Sequence, residues 1–333
     1  MDKEKRVLLD IVDRFTGKTI AVWGDFILDE YLCGTTRRVS REAPVLILRY
    51  LKKDFSLGGA GNSVLNLKAL GANLLPIGVV GRDEPGEQII AILRAQKIPT
   101  KYIYKTKSYQ TPIKTRILAG EENTRKQQIL RIDREAHVPS DEKLRERLSS
   151  FLLEAKRQAD ALLISDYNYL TVEEDVYSSI MPAWKGANLP VTLDSRFRLL
   201  RFKGVTAATP NEPEAEAALQ VELGDDIRIL KKTGSLLLKK LQSRALLITR
   251  GSRGMAMFEP SKRPYIIPVH GTTDIVDVTG AGDTVISVFT LALACGANFR
   301  EASALANYAG GVVVMKKGTA TLTVEELKEA ISS

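Results

Sequence analysis

A chain of 333 residues with 44% hydrophobic content is long enough for one large α/β core and too short for several ordinary domains. No apolar run approaches the roughly 18 residues of a membrane-spanning helix, and the net charge of +8 comes from 48 basic residues interleaved with 40 acids, so neither a membrane nor a nucleic-acid partner is expected. Only two histidines, His137 and His270, are present, which leaves metal triads and most triad hydrolases almost without material and hands acid-base chemistry to carboxylates.

The first residues are charged and run into an amphipathic segment with acids at Asp10 and Asp13, so no secretory signal is expected. Strand-like apolar runs follow at Thr19–Trp23, Leu74–Val80, Ala161–Ile164, Val191–Leu193, Val205–Ala208 and Ala245–Thr249. Helical patterns at Gly61–Leu70, Gly86–Ala95, Ser140–Lys156 and Val172–Trp184 separate most of them. The alternation predicts an α/β fold, a doubly wound and mostly parallel sheet with ligands at the carboxyl ends of its strands. Two β-rich regions, 31–51 and 101–131, break the rhythm and predict a small antiparallel sheet inserted in a single domain spanning 1–333. A hairpin is predicted at Met255–Phe258 and Tyr265–Pro268, then helices at Ala281–Cys295, Asn298–Met315 and Val324–Ser332. The cysteines, Cys33 and Cys295, stand far apart at no metal-ligand spacing, which predicts a reducing, cytoplasmic compartment.

In chain order the candidate site residues begin with Trp23-Gly24-Asp25 and Asp29 after the first strand, then Gly58-Gly59-Ala60-Gly61-Asn62 at a helix start. Two carboxylates, an amide and bare backbone can bind several hydroxyls, as a polyol requires; a turn followed by a capped helix explains the same residues. Thr209-Pro210-Asn211-Glu212-Pro213-Glu214 opens an Ala-rich helix, where Asn211 and Glu214 either hold hydrated Mg2+ near nucleotide phosphates or form a capping box. Thr249-Arg250-Gly251 ends a strand and either borders a nucleotide or is a plain turn.

The strongest signal is Asp277-Val278-Thr279-Gly280-Ala281-Gly282-Asp283, before an apolar helix. Small residues at a helix start leave amides bare for a transferring phosphoryl group, with Asp283 beside them to take a proton; a helix N-cap is the competing explanation. There is no GxxxxGK[ST], and neither Gly280-Ala281-Gly282 nor Gly59-Ala60-Gly61 completes GxGxxG, which weighs against P-loop and nicotinamide enzymes.

Together these residues, in this order, resemble the ribokinase or PfkB family of carbohydrate kinases over about residues 19–330. The resemblance implies an ATP-dependent sugar kinase using Mg2+, with Gly280, Ala281 and Gly282 as anion hole and Asp283 as base. It implies sugar contacts from Asp25, Asp29, Gly58, Gly59 and Asn62. Nucleotide contacts fall to Asn211, Glu214, Thr249, Arg250, Gly251 and Asn307, with Glu214 reaching Mg2+ through water. The β-rich regions correspond to a lid, whose exposed edges predict a homodimer through it. Within the family, Arg38-Val39-Ser40-Arg41-Glu42-Ala43-Pro44, Gln128-Ile129-Leu130-Arg131-Ile132-Asp133 and Ser165-Asp166-Tyr167 are most similar to the kinases that phosphorylate D-glycero-D-manno-heptose 7-phosphate at O1, for ADP-heptose and lipopolysaccharide synthesis. A phosphorylated sugar also needs cations, and Arg131 and Arg196 are the candidates, with Asp166 beside the sugar. Bifunctional members continue into a nucleotidylyltransferase; ending at Ser333, this chain is expected to be the kinase half. It departs from those kinases at Asn168-Tyr169-Leu170, where Ala-Lys-Gly is usual, and at Asp194-Ser195-Arg196, where Asp-Pro-Lys is usual. A kinase-like binding protein without turnover is the rival reading, disfavoured because Asp283 and the glycine turn are intact.

Overall fold

In a computed structural model of the chain, residues 3–121, 126–271, 276–316 and 318–333 are described. The strands are β1 (Thr19–Gly24), β2 (Phe26–Val39), β3 (Leu46–Gly59), β4 (Asn73–Gly81), β5 (Tyr102–Thr106), β6 (Ile113–Gly120), β7 (Gln127–Arg134), β8 (Ala161–Asp166), β9 (Val191–Ser195), β10 (Ala207–Ala208), β11 (Ala245–Thr249), β12 (Met255–Phe258) and β13 (Tyr265–Ile267). The helices are α1 (Lys3–Asp13), α2 (Ala60–Ala69), α3 (Glu84–Ala95), α4 (Glu142–Ala155), α5 (Glu174–Gly186), α6 (Glu212–Leu219), α7 (Ile227–Leu241), α8 (Ala281–Ala294), α9 (Phe299–Val313) and α10 (Val324–Ser332).

Nine strands form one sheet in the order β13-β12-β11-β10-β9-β8-β1-β4-β5. All its pairings from β11 to β5 are parallel, and β12 and β13 add an antiparallel edge. The apolar run of β1 shows why such a sheet needs helices on both faces. Ile20 and Val22 enter a core shared with α1, α2, α3, α8, α9 and α10, while Ala21 and Trp23 enter a second core shared with α4, α5, α6 and α7. A strand buried on both sides has no polar alternate residues to offer, and β1 has none from Ile20 to Trp23.

A separate four-stranded sheet has the order β3-β2-β6-β7. The pairs β2–β3 and β6–β7 are antiparallel, and the parallel pairing of β2 with β6 joins them. This sheet starts earlier than the sequence pattern indicates, because β2 begins at Phe26 directly after β1 and β3 continues to Gly59, carrying the chain straight into α2. The region 101–131 divides: Tyr102–Thr106 is β5, an edge of the large sheet parallel to β4, and only the part from Ile113 onward joins the small sheet. Residues 122–125 of that region lie outside the described residues. The short β-branched and aromatic run of β5, Tyr102-Ile103-Tyr104-Lys105-Thr106, marks a strand but cannot by itself tell which sheet it joins.

Candidate active site

The carboxyl ends of β8, β9, β10 and β11 and the start of α8 open into a cavity of about 900 Å³, roofed by β2, β6 and β7 of the small sheet. Its lining includes Asp29, Gly58, Gly59, Arg131, Asp166, Arg196, Asn211, Glu214, Thr249, Arg250, Gly251, Gly280, Gly282 and Asp283. Residues scattered over most of the sequence therefore converge at the place where open α/β sheets hold ligands.

Helix α8 begins without a side-chain cap: Gly280 stands at the N-cap in the left-handed region, at φ 78°. Any β-carbon there would also lie 2.4 Å from the Asn62 side-chain nitrogen, so glycine is required for both conformation and space. The uncapped first turn leaves the amides around Gly282 for an anion, as at other helix starts.

Asp283 is buried, and both its oxygens are held. Asn62 Nδ2 donates to Oδ2 at 2.8 Å, and the Tyr167 hydroxyl donates to Oδ1 at 3.1 Å. Burial pushes the Asp283 carboxyl up to about 6; the two hydrogen bonds and Lys114 oppose that rise, and Asp29 adds to it. A carboxylate raised in this way is suited to accepting a proton near neutral pH. Asn62 is fixed in turn by Asn66, whose amide donates to the Asn62 backbone and side-chain oxygens, and Asn66 accepts from the Thr284 hydroxyl at 3.0 Å. Helices α2 and α8 are thus coupled through the Asp283 carboxylate and Thr284.

Four of the sequence-derived residues lie outside the cavity lining. Asp25 is fully buried and lies outside the cavity lining: its Oδ2 accepts from the amides of Tyr167 at 2.8 Å and Tyr169 at 3.0 Å, and its Oδ1 from Thr171 at 3.0 Å. Burial and the neighbouring Asp166 push it up to about 6 despite these donors. Three backbone amides thereby hold the loop after β8 to this one carboxylate. Asn62, also fully buried, turns to Asp283 and away from the cavity. Ala281 lies in the first turn of α8 outside the lining, and Asn307, on α9, donates to the Pro268 carbonyl at 2.9 Å, also outside it.

Others line the cavity but are already engaged. Asp29 pairs with Arg116 at 2.5 Å, and a β-carbon at Gly58 would sit 2.7 Å from its Oδ2. Asp166 pairs with Arg198 and accepts from the Ser195 hydroxyl at 2.6 Å. Asn211 and Glu214 do form a capping box, at 2.8 and 2.9 Å, while still facing the cavity. Arg250 is held by Glu212 at 2.8 Å, which Arg253 also clamps.

Sequence reasoning missed Lys114 and Arg116, which face the cavity from β6, and Asp194, which enters from β9. The signal for the first two was available: cations two apart on a strand share a face. Register places Lys114 beside Asp29 and Arg116 beside Tyr31 on one side and Arg131 on the other. Lys114 and Arg196 form no ion pair among the described residues; their recorded partners are aromatic, Lys114 over Tyr167 at 5.6 Å and Arg196 over Phe197 at 5.5 Å. Burial, and then repulsion from Arg196, hold the Lys114 ammonium below the usual lysine range.

Among the described residues no three metal-binding side chains converge. Asp194 is pushed well above the carboxylate range by burial and by Glu214, Asp283 and Asp166, and Glu214 is raised by burial. Two such acids fit Mg2+, which keeps several waters and takes one or two carboxylates together with phosphates.

The family described as pfkB family carbohydrate kinase matches residues 19–326. The bifunctional protein HldE of Pelobacter propionicus is 34% identical over 330 residues, covering 99% of this chain and 66% of that protein. HldE of Haemophilus influenzae strain PittEE is 38% identical over 318 residues, covering 95% of this chain and 64% of that protein, so the chain spans just under two thirds of these relatives. In structure, Arabidopsis thaliana ribokinase complexed with ribose and ATP aligns at a TM-score of 0.69 with 19% identity, covering 96% of this chain and 99% of that one. Phosphofructokinase-2 from Escherichia coli in complex with potassium aligns at 0.75 with 17% identity, covering 95% and 99%. With its sequence matched over most of its length and its fold shared with two sugar kinases, the chain belongs to the pfkB family of carbohydrate kinases and is a sugar kinase.

Proposed function

We propose that this kinase transfers the γ-phosphoryl group of ATP to O1 of D-glycero-D-manno-heptose 7-phosphate, giving the 1,7-bisphosphate used in ADP-heptose synthesis. The observation that carries the anionic acceptor is the pair Lys114 and Arg196, two mutually repelling cations of the cavity that close no ion pair among the described residues. Repulsion between two like charges in a half-buried cavity is costly, and a phosphate placed between them offsets that cost. The segments around Ser40–Pro44 and Gln128–Asp133 support the heptose among phosphorylated sugars.

In this reading Asp283 accepts the proton of the attacking hydroxyl, held in register by Asn62 and Tyr167. The amides at the start of α8 stabilise charge on the group in transfer. Asn211, Thr249 and Gly251 border the nucleotide, and Arg250 is positioned for it by Glu212. Glu214, with Asp194 near it, would hold Mg2+ through water; the ion neutralises phosphate charge when bound. The small sheet excludes water from the transfer. Cys33 and Cys295 are both free, which supports a reducing, cytoplasmic setting. Among the described residues no helix is long and apolar enough to cross a membrane.

Incubation with ATP, Mg2+ and heptose 7-phosphate, followed by phosphorus NMR, tests the assignment. A second phosphorus coupled to the anomeric proton is expected. ADP formed with phosphate at another carbon, or no ADP above the acceptor-free rate, would overturn it.

A further inference from the structure

Resting on the assignment of Asp283 as the base, we propose that Tyr167 is a positioning residue that orients and tunes that carboxylate, and that buried Asp25 sets the place of Tyr167. Tyr167 is the first residue after β8. Its amide donates to Asp25 Oδ2 at 2.8 Å, and its hydroxyl donates to Asp283 Oδ1 at 3.1 Å. From the opposite side, α2 holds Oδ2 through Asn62 at 2.8 Å. One donor on each oxygen, from elements on two sides, fixes the carboxylate plane, while each oxygen keeps a lone-pair direction for the acceptor hydroxyl. A single donor would leave the plane free to swing. Asp25 lies outside the cavity yet holds the loop at three amides, and through Tyr167 that loop reaches the base.

The phenol can only act as donor here. Burial and the nearby Asp283 and Asp194 charges keep its proton on well above the usual tyrosine range. The other charged or polar groups facing the Asp283 carboxyl are Asn62 from α2, Asp29 from β2, Lys114 from β6 and Asp194 from β9. Arg196 adds its charge at Tyr167. None of these changes when only the phenol oxygen is removed. The sign follows: the Tyr167 hydrogen bond favours the ionised carboxylate, so its loss moves the Asp283 titration further up from about 6.

The test is the pH profile of kcat for Tyr167→Phe, with Asp283→Asn measured alongside. The acid limb of the profile is expected to move up by about one unit, the order of one hydrogen bond to a charged group, with KM for ATP unchanged. Titration of the nucleotide is common to both proteins and cancels. If Tyr167→Phe does not fold, 2,3-difluorotyrosine at position 167 serves instead. It keeps the ring packing, strengthens the donor and should move the limb down. An unmoved limb in either protein overturns the role of Tyr167, provided Asp283→Asn lowers kcat by roughly 10²- to 10⁴-fold. Turnover by Asp283→Asn close to that of the unsubstituted enzyme would instead overturn the base assignment on which the inference rests.

Discussion

Of the cations that line the cavity, Lys114, Arg116, Arg131 and Arg196 are the candidates for an acceptor's phosphate, and they are not equivalent. Arg116 is joined to Asp29, and Arg131 is half-exposed and joined to Asp133 at 2.9 Å on its own strand. An arginine that must share or leave a carboxylate to bind phosphate gives back part of what it gains, and solvent weakens what remains. Lys114 has no such partner and is more deeply placed. Lys114→Met is therefore expected to raise KM for a phosphorylated acceptor roughly 10- to 100-fold, the loss of a charge-assisted hydrogen bond of about 1.5–3 kcal/mol. Arg131→Ala should raise it less, and neither should change KM for ATP. Initial-rate kinetics on the two variants check this; a larger effect at Arg131 would place the phosphate nearer β7. Legibility in the sequence differs in the same way. Asp283 announces itself because its glycine turn is local, whereas the contact between Asn62 and Asp283 joins residues 221 apart, and no spacing rule reaches that far. Asp25 was conspicuous for closing an apolar strand, but a buried carboxylate satisfied by backbone amides gives the same pattern as one facing a ligand.

The small sheet is the element that departs most from its sequence pattern. Its long strands β2 and β3 run on into the large sheet's connections, so their inner halves are buried and their outer halves exposed. A period-two pattern registers only where one face is wet, which is why the outer stretch from Tyr31 to Leu51 was legible and the buried start at Phe26 was not. On that sheet Val39, Leu46, Tyr50, Leu130 and Ile132 are each at least half exposed, an apolar surface larger than scattered side chains would give. The edge strands β3 and β7 also carry unpaired backbone groups. We propose that a homodimer formed sheet against sheet covers both. Sedimentation equilibrium at micromolar concentration should give the dimer mass, and Tyr50→Glu should shift it to monomer without loss of the fold. A wild-type monomer under those conditions would contradict the arrangement.

At the scale of the molecule, the two hydrophobic cores lie on opposite faces of one sheet, and the cavity opens where the strands of that sheet end. That arrangement was readable because doubly buried strands appear as short apolar runs separated by amphipathic helices. The β10 strand was overlong in the sequence pattern: Val205 and Thr206 are buried or half-buried beside it, but only Ala207–Ala208 complete the ladder. What the pattern could not give was the balance of charge inside the cavity, which depends on which acids are already paired. That balance makes the chemical claim specific. Asp194 and Glu214, with Arg196 close to both, suit a hydrated cation and phosphates, while Lys114, repelled by Arg196, suits an acceptor that is itself an anion. The most direct test is kcat/KM for heptose 7-phosphate against unphosphorylated heptose, ribose and fructose phosphates, under saturating ATP and Mg2+. The account predicts heptose 7-phosphate to be preferred over unphosphorylated heptose by at least about tenfold, the equivalent of one charged hydrogen bond. An unphosphorylated sugar used equally well or better would contradict it.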